Sequence, residues 1–267
     1  MHCKERAFAP LLEPKLGVTC VTAKNFDTDV FGTFSGEVPR RDIPIEILRK
    51  KCRNAIEQSD MDLVIASEGS FGPHPTLMMI PANEEWVMLF DRKNDLEISA
   101  RVLSTSTNFD GRYINDLEAL HHFAAAVHFP THALILRNSK GGNEEIIKGI
   151  TDLAVLISHF ESMKAKYGKV FAETDMRAMH NPTRMKVIAA ATEQLIQKIN
   201  HACPACTTPG FDVVKVETGL LCAHCGMPTK AIKKIMYECK KCTYQSVVMF
   251  PNKKETEDPM YCDYCNP

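Results

Sequence analysis

No apolar run in the 267-residue chain approaches the roughly 18 residues that a membrane-spanning helix requires. No positively charged start followed by an apolar stretch marks an export signal, so a reducing, cytoplasmic setting is expected. Neither sign of charge is in excess, with 32 Lys+Arg against 33 Asp+Glu. Low-complexity segments are missing, as are internal repeats other than one cysteine spacing. From residue 201 onward there is no arginine and there are few large aliphatic side chains. A tail so composed cannot rest on a hydrophobic core and needs another source of stability.

Cysteine supplies it. Eight of the 11 cysteines lie after residue 200 as four Cys-x-x-Cys pairs: Cys203/Cys206, Cys222/Cys225, Cys239/Cys242 and Cys262/Cys265. Such a turn brings two thiolates to one side of a tight knuckle, and two knuckles make the tetrahedral four-sulfur site that Zn2+ prefers. The pairs are separated by 15, 13 and 19 residues, and the first and third intervals suit a short β-hairpin with a knuckle at each end. The reading is two tandem zinc ribbons holding two structural Zn2+ ions. A disulfide scaffold is the competing reading, and the expected reducing compartment weighs against it. Sequential pairing of the knuckles needs the fewest long crossings; the alternative joins the two middle pairs and closes a second site with the outer ones.

The tail carries 8 lysines against 7 acids. Eight thiolates and two Zn2+ turn that balance negative, a poor footprint for a phosphate backbone. Lys233, Lys234, Lys240 and Lys241 form a local basic patch, and Tyr237, Tyr244, Tyr261 and Tyr264 suit contact. The partner of the ribbons is therefore left open between a protein and a nucleic acid, with docking or dimerisation as the plainer alternative.

Residues 1–200 alternate β-rich and helix-rich stretches, the pattern of an α/β domain with a mixed sheet and flanking helices. Strands are predicted over Gly17–Ala23, Asp62–Ser67, His132–Arg137 and Lys169–Glu173, with a hairpin from Trp86–Asp91 and Leu96–Leu103. Helices are predicted from Pro44 to Gln58 with Asp42 as cap, from Ile114 to Val127, and from Asp152 to Tyr167 between Thr151 and Gly168. A last helix is predicted from Pro182 to Ile199 behind the cap residue Asn181. The domain boundary is expected near residue 200.

Three segments carry the chemistry. Asp27 to Glu37 is an acidic, glycine-bearing loop in which Asp29 and Glu37 can turn toward one hard cation, Mg2+ or Mn2+; a capped surface turn is the alternative. Ser67 to Pro75 follows the apolar strand, where ligands gather in α/β sheets. It contains Glu68, Ser70 and a proline-flanked His74, and the alternative is a rigid turn with a solvent-facing histidine. Glu173 to Met185 contains Asp175, Arg177, His180, Asn181 and Arg184. A cation in the first turn of a helix is unfavourable unless an anion sits there too, so Arg184 with Arg177 reads as a phosphate or carboxylate pocket; salt bridges to Asp175 and Glu173 are the alternative. Cys20 and Cys52 read as buried small apolar residues.

The blocks GTFSGE, SEGSFGPHP and DMRAMHNPTRM, with the terminal Cys-x-x-Cys pairs, are similar to those of a bacterial domain family of unknown function. The order of blocks also resembles the inosine triphosphate pyrophosphatase superfamily. His2 to Glu5 answers its first block, Asp29 to Glu37 its acidic block, Glu68-Gly69-Ser70 its third and Arg177 to Arg184 its fourth. That resemblance implies that Lys4 touches phosphate, that Glu37 and Glu68 hold Mg2+, and that Arg177 or His180 faces a base. The expectation is metal-assisted hydrolysis of a nucleotide or other phosphorylated small molecule, with Glu37, Glu68 and Asp29 in the catalytic role. The rival expectation is a non-enzymatic sensor of an anionic ligand that uses its ribbons to reach a partner.

Overall fold

The computed structural model describes residues 3–23 and 42–267. Asp29 and Glu37, with the rest of the acidic loop, lie outside the described residues. The chain divides into two compact units, Met1–Ile196 and Gln197–Pro267.

In the first unit the strands fall into two sheets rather than one, and every pairing within them is antiparallel. The first sheet is a meander of β1 (Leu63–Pro73), β2 (Pro81–Asp91) and β3 (Leu96–Ser104), preceded by helices α1 (Glu5–Leu16) and α2 (Pro44–Glu57). Leu48 and Cys52 of α2 pack on Met88, with Val64, Ala66, Trp86 and Phe90 around them. Burial pushes the Cys52 thiol up to about 12, so it is the inert apolar filler its sequence setting implied. The second sheet has the order β4-β7-β5-β6, from β4 (Gly111–Ile114), β5 (Leu134–Arg137), β6 (Ile146–Ile150) and β7 (Val170–Thr174). Helices α3 (Leu117–Ala126) and α4 (Leu153–Tyr167) bury Leu120, Phe123, Leu156 and Phe160 against it. Helix α5 (Pro182–Asn200) follows a short 3-10 turn at Ala178–His180.

Several expectations change. Gly17–Ala23 is not a strand: Gly17 takes a left-handed φ of 66° and closes α1, its N–H reaching Glu13 O at 3.0 Å. Ser67–Pro73 is not a loop after a strand but its continuation, since Glu68 to Pro73 pair residue by residue with Trp86 to Pro81. Ile43, not Asp42, occupies the cap of α2, and Asp42 binds Lys50 instead. Asp152, not Thr151, caps α4 through Val155 N–H at 3.0 Å. Asn181 does cap α5: its Oδ1 accepts from Arg184 N–H at 2.9 Å.

The second unit is built on a three-stranded sheet of order β11-β10-β8, from β8 (Asp212–Thr218), β10 (Ile232–Glu238) and β11 (Gln245–Met249). A two-residue parallel pair joins β9 (Leu221–Cys222) to β12 (Thr256–Glu257). Among the described residues no helix is long and apolar enough to cross a membrane.

Candidate functional site

The eight tail cysteines gather into two groups of four, Cys203/Cys206/Cys239/Cys242 and Cys222/Cys225/Cys262/Cys265, each with its sulfurs within 4.8 Å of one another. The closest sulfurs are 3.6 to 3.8 Å apart. That is too long for a disulfide and matches the edge of about 3.8 Å that four thiolates form around Zn2+ at about 2.3 Å. All four knuckles share one backbone bond, from the residue after the second cysteine to the carbonyl of the first: Thr207 to Cys203, Gly226 to Cys222, Thr243 to Cys239 and Asn266 to Cys262, at 2.8 to 3.1 Å. Thr207, Gly226 and Thr243 pay for that tight return with a left-handed φ of 57° to 70°. Backbone N–H groups of His224 and Lys241 donate to Cys222 and Cys239 sulfurs at 3.4 Å. The sulfurs crowd each other, so Cys265 beside Cys225 is pushed up to about 12. The backbone N–H of Cys225 draws Cys222 down to about 7. A cation relieves that conflict.

The pairing is neither sequential nor nested; it is interleaved. Strand β8 separates the first knuckle from the second, and seven residues of strand span about 23 Å, so those two knuckles cannot share an ion. Because β8 and β10 run antiparallel, with Asp212 beside Glu238 and Thr218 beside Ile232, the first and third knuckles meet at one end. The β9–β12 pair brings the fourth knuckle to the second at the other.

In the first unit, five charged side chains from five elements converge at the β1 edge. Lys4, at the entry to α1, donates to Ser67 Oγ at 2.9 Å. Lys51 of α2 holds Glu68 at 2.5 Å with both side chains nearly buried. Arg184 of α5 holds Glu85 of β2 at 2.6 Å, and both side chains are 0% exposed. Arg184 also donates to Met176 O at 2.6 Å and lies over the Phe71 ring at 5.4 Å. Glycine at position 69 makes room for that pair, because a Cβ there would lie 2.6 Å from Arg184 Nη2. Burial, reinforced by the fields of Arg184 and Lys51 and opposed by Glu85 and Glu68, brings the Lys4 ammonium down to about 7.

Of the residues read from sequence, the fold thus groups Lys4, Glu68 and Arg184. Ser70 donates to Glu84 at 3.2 Å. His74 lies in the exposed β1–β2 connection, where its Nδ1 accepts from Thr76 and Leu77 N–H. Asp175, fully buried, accepts from Gly149 N–H at 3.0 Å and from Arg177 at 2.6 Å. His180 stands beside them, its pKa lowered by burial and then by Arg177. Arg177 and Arg184 therefore have different carboxylate partners, and Glu173 pairs with Arg137.

Lys51 and Glu85 were missed, though both left a trace. Ile47, Leu48, Lys51, Cys52, Ala55 and Ile56 are the buried stripe of α2, so Lys51 occupies an apolar position of a 3.6-residue period. Asn83 and Glu85 share a strand face with the fully buried Val87, an inward face on the two-residue period.

A family model described as a domain of unknown function, DUF6671, matches residues 51–267, and the chain belongs to that family. The match takes in Lys51, Glu68, Glu85, Arg184 and all eight tail cysteines. No curated protein and no solved structure matches the chain.

Proposed function

We propose that the protein is a hydrolase of a phosphorylated small molecule, a nucleotide in the leading case, working in a reducing cytoplasm with its second unit stapled by two Zn2+. The observation that carries this reading is the cluster of half-buried Lys4 with buried Lys51, Arg184, Glu68 and Glu85. Among the described residues three cations face two carboxylates, a balance that suits an anion, and burying four of these charges is hard to justify by stability alone. Near neutral pH, Lys4 exists both as ammonium and as amine. The ammonium meets a phosphate oxygen, and the amine accepts a proton from the attacking water.

Mg2+ or Mn2+ fits the described residues poorly. Glu68 gives an oxygen to Lys51, and both oxygens of Glu85 face Arg184 at 2.6 and 3.4 Å. Glu37 and Asp29, outside the described residues, are the candidates to hold a divalent ion.

The first test uses sulfate, whose charge does not change over the range. Binding is expected to weaken as pH rises from about 6 to 9, because Lys4 loses its proton near 7 and the cluster loses a cation. In Lys4→Met the pH dependence vanishes. Stability runs in the opposite sense: the unfolded chain binds the extra proton between about 7 and the ordinary lysine value, so stability rises with pH across that window. The second test is phosphate and pyrophosphate release from a panel of nucleoside triphosphates and sugar phosphates, with and without Mg2+. Turnover lost in Lys4→Met supports the enzyme; a panel without turnover but with sulfate binding selects the sensor. Lys4→Met is a cleaner variant than Glu68→Gln, which strips Lys51 of its buried partner.

The sensor reading has its own support in the exposed apolar side chains of the second unit. Val214, Val216, Val247, Tyr261 and Tyr264 are 49 to 65% exposed, which suits a protein partner or a nucleic-acid base better than solvent.

A further inference from the structure

The geometry points to Asn83 as the residue that recognises the non-phosphate end of the ligand, by hydrogen-bonding a planar group that presents an acceptor beside a donor, such as a lactam or carboxamide edge. This rests on the anion site proposed above. Asn83 is 0% exposed, and among the described residues neither its Nδ2 nor its Oδ1 has a hydrogen-bond partner. A carboxamide can make up to four hydrogen bonds, and each buried unmet group costs about 1–3 kcal/mol. Native interiors rarely tolerate this without a reason. An apolar residue would fit the position without that cost, as Val87 does on the same strand face.

The surroundings say what the amide waits for. Asn83 stands opposite Phe71 on β1 and Ser104 on β3. Phe71 carries Arg184 over its ring at 5.4 Å and meets Phe109 at 5.7 Å. Glu85, the anchor of Arg184, is two residues along the same strand face, about 7 Å away. A groove of about 690 Å³ is lined by Gly72, Pro81 and Phe109; Gly72 follows Phe71 in sequence, Phe109 is in ring contact with it, and Pro81 stands two residues before Asn83 on β2. Its size suits a small metabolite. An amide with donor and acceptor side by side is complementary to a planar edge with the reverse order. The aromatic ring opposite supplies a flat wall, and the cation cluster supplies the place for a phosphate one short spacer away.

The test compares uridine 5′-monophosphate, whose ring offers such an edge, with ribose 5-phosphate, which does not, against the full-length protein. The parent should bind the nucleotide about tenfold more tightly, the worth of a hydrogen-bond pair. Asn83→Leu should lose that advantage, its affinity for the nucleotide falling to that for ribose 5-phosphate. Asn83→Leu should also raise the Tm, because it removes an unmet polar group and no contact. Equal binding of the two probes by the parent overturns the role of Asn83 and leaves the anion site standing. Failure of both probes and of sulfate overturns the anion site itself. A fall in the Tm of Asn83→Leu identifies a structural amide and also overturns the inference.

Discussion

Chelation of metal is expected to unfold Gln197–Pro267 in one step, and Cys239→Ser alone is expected to cost the unit both of its ions. A structural Zn2+ contributes about 10–16 kcal/mol of apparent folding free energy, while this unit's own core is little more than Cys203, Phe211 and Cys239 with Cys206 and Tyr237 against them. Strands β8 and β10 are clamped at one end by the first and third knuckles and at the other by the second and fourth. Releasing one clamp frees both strands, and the second site then loses the hairpin that holds its knuckles in reach. The measurement is a titration of the apo protein with Co2+ or Zn2+ followed by amide NMR. Both sites should fill together in the parent, and Cys239→Ser should give collapsed amide dispersion for the unit with no tight ion. A variant that keeps the dispersion of Leu220 to Pro228 and still binds one ion would show that the sites fold independently. Signals of the first unit are expected to stay in place throughout.

Separating Arg184 from Glu85 is expected to have the next largest effect. Both side chains are fully enclosed, so Arg184→Met takes from Glu85 its buried cation and Glu85→Gln takes from Arg184 its buried carboxylate. Breaking one partner of a buried pair costs about 3–5 kcal/mol, which lowers the Tm of a unit this size by about 10 °C. Joining Arg184→Met to Glu85→Leu should recover most of that loss, since an apolar pair of similar volume carries no desolvation cost. Sulfate binding should not recover. Thermal melts alongside sulfate titration separate the two effects: if the double variant regains stability and anion binding together, the pair is structural only and the binding reading of Arg184 fails.

What sequence alone could reveal divides by distance along the chain. Each knuckle is a local object: two sulfurs three residues apart and a tight return, so the metal ligands were legible one by one. Which knuckles meet depends on the seven-residue length of β8 and on its antiparallel partner twenty residues later, which no spacing rule between neighbouring pairs contains. The same holds for the charged cluster. Arg184 and Asn181 were visible because a cap and a first-turn cation break local preference, whereas their partners Glu85 and Met176 come from other elements. Gly69 and Gly72 read as loop residues, yet they lie within β1 because the ladder to β2 outweighs their weak strand preference. Helix α1 was missed because Pro10 and Pro14 stand inside it, against the usual exclusion of proline.

The interleaving also sets an order of events as the chain is made. The first site cannot close until Cys242 has been synthesised, and the second waits for Cys265. Residues 203–241 therefore emerge with unpaired thiols, a stretch of chain with no fold of its own to protect it. A chain cut between Cys242 and Cys262 loses one clamp, and one cut between Cys225 and Cys239 loses both. Such fragments present open thiols and loose strands to proteolysis.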